Sequence, residues 1–424
     1  MNATSHGHQV SPATLHKVIA ASAIGNFVEW FDFAVYGFLA VTIAALFFPQ
    51  GNPTLALLQT FAVFAVSFAL RPLGGIVFGI LGDRIGRKRV LSITVLMMAA
   101  ATTLIGLLPT YASIGLFAPL LLALARCLQG FSAGGEYAGA CAFVMEHAPT
   151  EQKARYGSFV PVSTFFAFAS AAGLVFGLDL LLDNEQMHAW GWRLPFLGSS
   201  VLVILGLWVR LKLTETPEFA AAQQEAPPPA VPLATLLSTH LGAAIAGTFA
   251  CAACFAVYYI ATAFALGYGT TALKIDREIF LAIQLGAIMF MALSIVIAGW
   301  WSDRSSPTRV LAWGCAGTLV MGIVFGPLIG TAALLPIFVA LSLALFVMGF
   351  IYGPLGAYLP ALFPTQLRYT GASFAFNLGG ILGGALAPIV ATWLIGMQGV
   401  ALVGLYMSAA ALISLAGLWW TSRT

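Results

Sequence analysis

The chain has 424 residues, 60% hydrophobic and only 8% charged, with a net charge of +3 and a mean hydropathy of +0.95. A water-soluble domain carries about a quarter charged residues, so this chain cannot cover a water-facing surface, and the small charge excess gives no support to a nucleic-acid partner. Apolar runs of about 20 residues succeed one another from Val18 to Trp420, each able to cross a hydrocarbon core of about 30 Å, and their continuity excludes the alternating strands of a barrel.

These runs predict an all-α polytopic membrane protein. Twelve transmembrane helices are expected at 18–47, 54–81, 90–109, 114–144, 156–182, 192–213, 236–268, 278–301, 310–329, 332–362, 369–396 and 399–421. The first sixteen residues are polar, with His6, His8 and His16 expected in solvent, and no cleavable signal peptide is expected. Span one carries Gly25-Asn26-Phe27-Val28-Glu29-Trp30-Phe31-Asp32-Phe33. Helical spacing puts Glu29, Asp32, Phe33 and Tyr36 on one face, two acids and two rings that suit a cavity better than lipid. Ionisable groups at membrane depth cost at least a few kcal/mol each and mark a pathway, a proton relay or a paired strut.

Span two holds Arg71, twelve residues before Asp83 and so about 18 Å up the helix. It ends in the cationic turn Gly79-Ile80-Leu81-Gly82-Asp83-Arg84-Ile85-Gly86-Arg87-Lys88, where glycines let helix ends approach and Asp83 can meet the basic cluster or a neighbouring helix N-terminus. Span four places Arg126 near its middle and Glu136 nearer the cytoplasmic end, in Gln129-Gly130-Phe131-Ser132-Ala133-Gly134-Gly135-Glu136-Tyr137. Arginine stays charged, and the simplest arrangement pairs Arg126 with Asp32 or Glu29. A carboxylate that loses such a partner to substrate can take up a proton. Glu136 either joins a proton path or anchors the neighbouring basic turn; Asp179 is expected at the interface.

Residues 214–235, from Thr214-Glu215-Thr216-Pro217-Glu218-Phe219 to Ala226-Pro227-Pro228-Pro229, cannot continue a spanning helix. They are expected to join an N-terminal six-helix bundle (1–213) to a C-terminal one (236–424). Duplication is supported by a second turn, Asp303-Arg304, four residues after Gly299, and by Pro149-Thr150 and Pro364-Thr365 after spans four and ten. Small-residue faces at Gly130/Gly134, Gly379/Gly383 and Gly380/Gly384 allow close helix packing. The second half has no comparable acids within its spans. Its polar handles are Tyr258, Tyr259, Gln284, Tyr352, Tyr358 and Asn377, of which all but Tyr358 are candidate substrate contacts beside Arg126, Arg71 and Tyr36. Glu29, Asp32 and Glu136 are the proton-coupling candidates. The five cysteines fall inside spans, and Cys251-x-x-Cys254 reads as packing, so neither metal nor cofactor is expected. Thirteen Lys and Arg residues fall on the face of the termini and three on the other, which predicts both termini in the cytoplasm.

The Gly79–Arg89 turn resembles the signature loop of the major facilitator superfamily. Gly25–Phe33, Arg71-Pro72-Leu73-Gly74-Gly75, Gln129–Tyr137, Gly191-Trp192-Arg193-x-Pro195-Phe196, Glu215–Phe219 and Phe363-Pro364-x-x-x-Arg368 extend the resemblance to its metabolite:proton symporter branch, over about Leu15 to Trp420. That branch includes importers of citrate, 2-oxoglutarate, shikimate-like acids, and proline or betaine. The resemblance implies a monomeric bacterial inner-membrane symporter, with protons and a small organic anion or zwitterion as partners and the 82–89 turn as gate. The second turn departs from the pattern, continuing Ser305-Ser306-Pro307 after Arg304, and a weaker gate contact is expected there. Arginines at 71 and 126 favour an organic anion. An exporter on the same fold, an osmolyte importer and a non-transporting receptor are the rival readings; the coiled-coil tail of the osmosensing members is not expected here.

Overall fold

The computed structural model describes residues 11–48, 51, 53–225 and 232–421. The expected Ala226–Pro229 break, the tail histidines His6 and His8, and Arg423 lie outside them. Twelve helices are long and apolar enough to span a membrane: α1 Pro12–Phe38, α2 Leu55–Ile85, α3 Arg87–Leu107, α4 Phe117–His147, α5 Thr150–Leu181, α6 Asn184–Leu211, α7 Leu241–Thr271, α8 Arg277–Arg304, α9 Pro307–Ile329, α10 Leu334–Ala361, α11 Thr365–Met397 and α12 Ala401–Thr421. Their number brings the start of α1 and the end of α12 to one face, called the terminal face below.

Two expected spans are interrupted. The first run stops at Phe38 and resumes as the short helix Ala40–Phe47. The seventh begins at Leu241, because Pro232–Thr239 forms a separate helix broken at His240. The linker is partly helical over Pro217–Glu225.

Helix packing repeats with an offset of six. In the first half α1 packs on α5 and α6, α2 on α4, and α3 on α4 and α6. In the second, α7 packs on α11 and α12, α8 on α10, and α9 on α10 and α12. These are two pseudo-symmetric six-helix bundles, which meet through α2 against α11, α5 against α8, and α4 against α10. Glycine sets the closest approach in the first bundle: a Cβ on Gly130 or Gly134 of α4 would run into the α2 backbone carbonyls of Ser67 and Arg71.

Candidate functional site

Halfway through the first bundle, five helices (α1, α2, α3, α4 and α6) hold a polar layer in an otherwise apolar interior. Glu29 of α1 forms an ion pair with Arg71 of α2, the acid fully buried and the arginine 8% exposed. The Arg71 guanidinium lies 5.5 Å from the Trp30 ring, 5.6 Å from Phe33 and 5.5 Å from Phe68. Three apolar rings thus screen the pair from water, which strengthens it and makes removal of either partner costly, about 3–5 kcal/mol.

Asp32, one turn further along, is held by neutral donors. Ser199 of α6 donates to Oδ1 at 2.6 Å; Thr102 of α3 and Gln129 of α4 (3.5 Å) donate to Oδ2. Arg126 is fully buried and, among the described residues, has no carboxylate within 4 Å. It donates to Gln129 Oε1 at 2.7 Å and Ser67 Oγ at 3.2 Å, while its Nε has no acceptor. The Tyr36, Phe33 and Phe64 rings face its guanidinium at 4.3, 4.7 and 5.2 Å.

The expected Arg126–acid ion pair is therefore corrected. Glu29 goes to Arg71, and the Gln129 amide stands between Arg126 and Asp32, accepting from one and donating to the other and to Thr102 at 2.7 Å. An uncharged amide can fill that gap because three facing aromatic residues already stabilise the cation.

The second-half candidates separate into three places. Tyr258 meets Trp30 edge-on at 6.2 Å and Tyr259 meets Phe68 at 6.5 Å, so these two close over the Glu29–Arg71 pair from the opposite bundle. Tyr352 stacks on Tyr137 at 5.6 Å, and Phe376 stacks on Tyr137 at 4.0 Å, in a layer formed with α4. Gln284 and Asn377 are engaged by backbone. Gln284 Nε2 donates to the Ala261 and Thr262 carbonyls at 3.0 and 2.7 Å, inside the π-helical turn Ile260–Phe264 of α7. Asn377 donates to the Gly134 and Ser373 carbonyls, both at 2.8 Å, and so joins the bundles. Tyr36 donates to the Thr60 carbonyl at 3.2 Å and is fully buried. Glu136 forms an ion pair with Arg210 of α6 and accepts from Thr94 at 2.7 Å, rather than anchoring the basic turn.

The terminal face is sealed. Asp83 accepts the backbone N–H groups of Tyr369 and Thr370, at 3.1 and 2.8 Å, in the first turn of α11, where unpaired amides and the helix dipole favour an anion. Gly79 and Gly82 make this approach possible: a Cβ at either would overlap Thr370 or the Tyr369 ring. Arg87 pairs with Asp83 at 3.3 Å and Glu146 at 3.2 Å, and also donates to the Thr365 carbonyl. Gly86 turns the chain at φ +103°, a left-handed value suited to glycine, so that the Glu215 carboxylate caps the Arg87 and Lys88 amides. The Lys88 ammonium donates to the Leu211 carbonyl at 3.0 Å.

The duplicated turn performs the same act in mirror order. Asp303 accepts the Ala154 and Arg155 amides, at 2.9 and 3.0 Å, in the first helical turns of α5. Arg304 lies 3.5 Å over Trp300 of its own helix, so the second contact has a cap without the arginine network.

Sequence reading missed the strap over this gate. Arg368 bridges Glu146 at 2.9 Å and Glu218 at 2.6 Å, Lys153 pairs with Glu218 at 2.8 Å, and Thr216 donates to Glu146 at 2.5 Å. Burial pushes the Glu218 carboxyl up, but the hydrogen bonds and charges of Lys153 and Arg368 outweigh it and hold it below the usual glutamate range. The signal was available in Glu146, three residues before Pro149-Thr150, and in Arg368, which follows the matching Pro364-Thr365.

Residues 18–229 match the family described as "Sugar (and other) transporter". The chain is 41% identical over 426 residues to the inner membrane metabolite transport protein YhjE of Escherichia coli (strain K12), covering 99% of this chain and 97% of that protein. It is 38% identical to the shikimate transporter of the same organism, over 91% and 89% of the two chains. It is 33% identical to the proline/betaine transporter of Salmonella typhimurium, over 96% and 83%. Among solved structures, the proton:xylose symporter XylE superposes with a TM-score of 0.76 at 14% identity, over 98% of this chain and 96% of that one. The chain belongs to the metabolite transporters of the major facilitator superfamily, a family of multi-pass membrane transporters and not of enzymes.

Proposed function

We propose that this chain is a proton-coupled symporter that imports a small carboxylate-bearing metabolite by alternating access. Its rocking units are 1–213 and 236–424, joined by the 214–235 strap. The observation that carries the reading is the Glu29–Arg71 pair, buried beneath Tyr258 and Tyr259 of the other bundle and beside an acid, Asp32, held only by neutral donors. A substrate carboxylate that binds Arg71 displaces Glu29. An acid parted from its guanidinium in a dry interior takes a proton rather than stay charged. Asp32 couples to the same event through Gln129 and Arg126. Transport of a metabolite is supported by relatives named for shikimate and for proline/betaine.

The lysine and arginine bias supports a cytoplasmic terminal face, and the relative named as an inner membrane protein supports that membrane. On this orientation the sealed gate makes the structure an outward-facing or occluded state. One net charge crossing with substrate gains about 2.3 kcal/mol per 100 mV, enough to concentrate a solute some tens of times.

The test is uptake into proteoliposomes by the purified protein under an imposed proton gradient, from a panel of labelled shikimate, citrate, 2-oxoglutarate, proline and glycine betaine. Accumulation of a carboxylate that a protonophore abolishes is expected, and Asp32→Asn removes the gradient-driven part. Accumulation of betaine alone transfers the site to zwitterions. Full accumulation by Asp32→Asn with normal pH dependence overturns the proton assignment.

A further inference from the structure

The first bundle holds a second polar layer, deeper toward the terminal face than the layer of Glu29, Arg71 and Asp32. Glu136 of α4 is fixed there by Arg210 of α6 and Thr94 of α3, and Ser132 donates to the Thr94 carbonyl at 2.5 Å. Tyr369 of α11 also faces this layer, and its hydroxyl donates to the Gly135 carbonyl at 2.8 Å. The Asp32 layer is built from the same helices, using Thr102 of α3 and Ser199 of α6. Thr94 and Thr102 lie eight residues apart on α3, so the two acids are about 12 Å apart along the bundle. A small cavity lined by Gly25, Val28, Met98, Ser132, Glu136 and Val203 fills part of that interval. A Cβ on Gly25 would overlap both Glu136 and Arg210, so glycine there keeps the space beside the pair open. With Glu136, Thr94 and Ser132 on its wall, the cavity offers the two or more polar partners that a buried water needs. On the Asp32 side stand buried Val28, Met98 and Val203, an apolar belt.

We propose that the seam between α1, α3, α4 and α6 is a proton route within one bundle, carrying the proton between Asp32 and the terminal face through the cavity and Glu136. It rests on the symport reading above. The belt keeps the route dry in this conformation, and water crosses it only when the bundles rock. Substrate therefore leaves between the bundles while its proton leaves inside one of them.

The belt gives a test that needs no substrate. Purified protein is placed in proteoliposomes with an internal pH-sensitive dye, and a potassium diffusion potential drives protons inward. Val203→Ser and Met98→Ser are made so that loss of one fold does not end the test, and each is first shown to be monodisperse. The expected result is a leak at least tenfold faster than wild type, which returns to the wild-type rate when Glu136→Gln or Asp32→Asn is added. Folded belt variants that stay as tight as wild type overturn the route, as does a leak that persists with both acids neutralised. The symport reading is judged apart from this, by uptake into wild-type vesicles.

Discussion

Replacing Asp83 by Asn tests whether the duplicated turns are what holds the terminal face shut. The side chain keeps its size and one acceptor oxygen. It loses its charge and presents an NH2 group to one of the two α11 amides it now binds at 3.1 and 2.8 Å. A hydrogen bond to a charged group contributes about 1.5–3 kcal/mol, and an anion at a helix N-terminus about 0.3–1 kcal/mol more. The Arg87 contact lies within the same bundle and travels with it, so it largely cancels between closed and open states. The differential loss is then about 2–3 kcal/mol, which raises the open population about 30- to 150-fold.

The readout is a cysteine at Ser373, fully buried behind the gate, in a background free of the five native cysteines. A membrane-impermeant maleimide applied from the terminal face should label it at least tenfold faster in Asp83→Asn. Asp303→Asn should act in the same direction by a smaller factor, since that cap is only partly buried and water can replace it. Labelling of the Asp83 variant within twofold of wild type would refute the gating argument.

Glu218 sits outside the spans and its carboxyl is held low, so the sign of its pH dependence is fixed: the strap contributes fully above the ordinary glutamate value, about 4.3, and its contribution is lost as pH falls through the lower folded value. The melting difference between wild type and Glu218→Gln should therefore be constant near neutrality and vanish only in acid; a difference that disappears between pH 6 and 8 would contradict it. Gln284→Leu leaves the Ala261 and Thr262 carbonyls of the α7 π-turn without their donor, and should destabilise the protein by about 1–3 kcal/mol. Thermal unfolding in detergent measures this, and an unchanged midpoint would mean that water satisfies the turn.

Much of this molecule was open to inspection in one dimension, because the bilayer imposes a severe filter. Twelve apolar runs, the doubled Asp-Arg turn, and the few charges left inside oil follow from composition and periodicity, since lipid tolerates neither unpaired backbone nor idle ions. The face shared by Glu29, Asp32, Phe33 and Tyr36 is likewise a matter of helical pitch, and Phe33 and Tyr36 do meet a cation, Arg126. Which ion meets which was decided elsewhere. Arg126 could reach either acid by spacing alone, and only the placement of α4 against α1 and α3 puts the Gln129 amide in between. Arg210, at the end of the sixth run, reads from sequence as one of the thirteen charges on the face of the termini, yet the α6 packing folds it inward onto Glu136. Long side chains carry their charged heads well away from their backbone, so helix pitch fixes a residue's depth and face but not its partner. The partner is set by the crossing of helices distant in sequence.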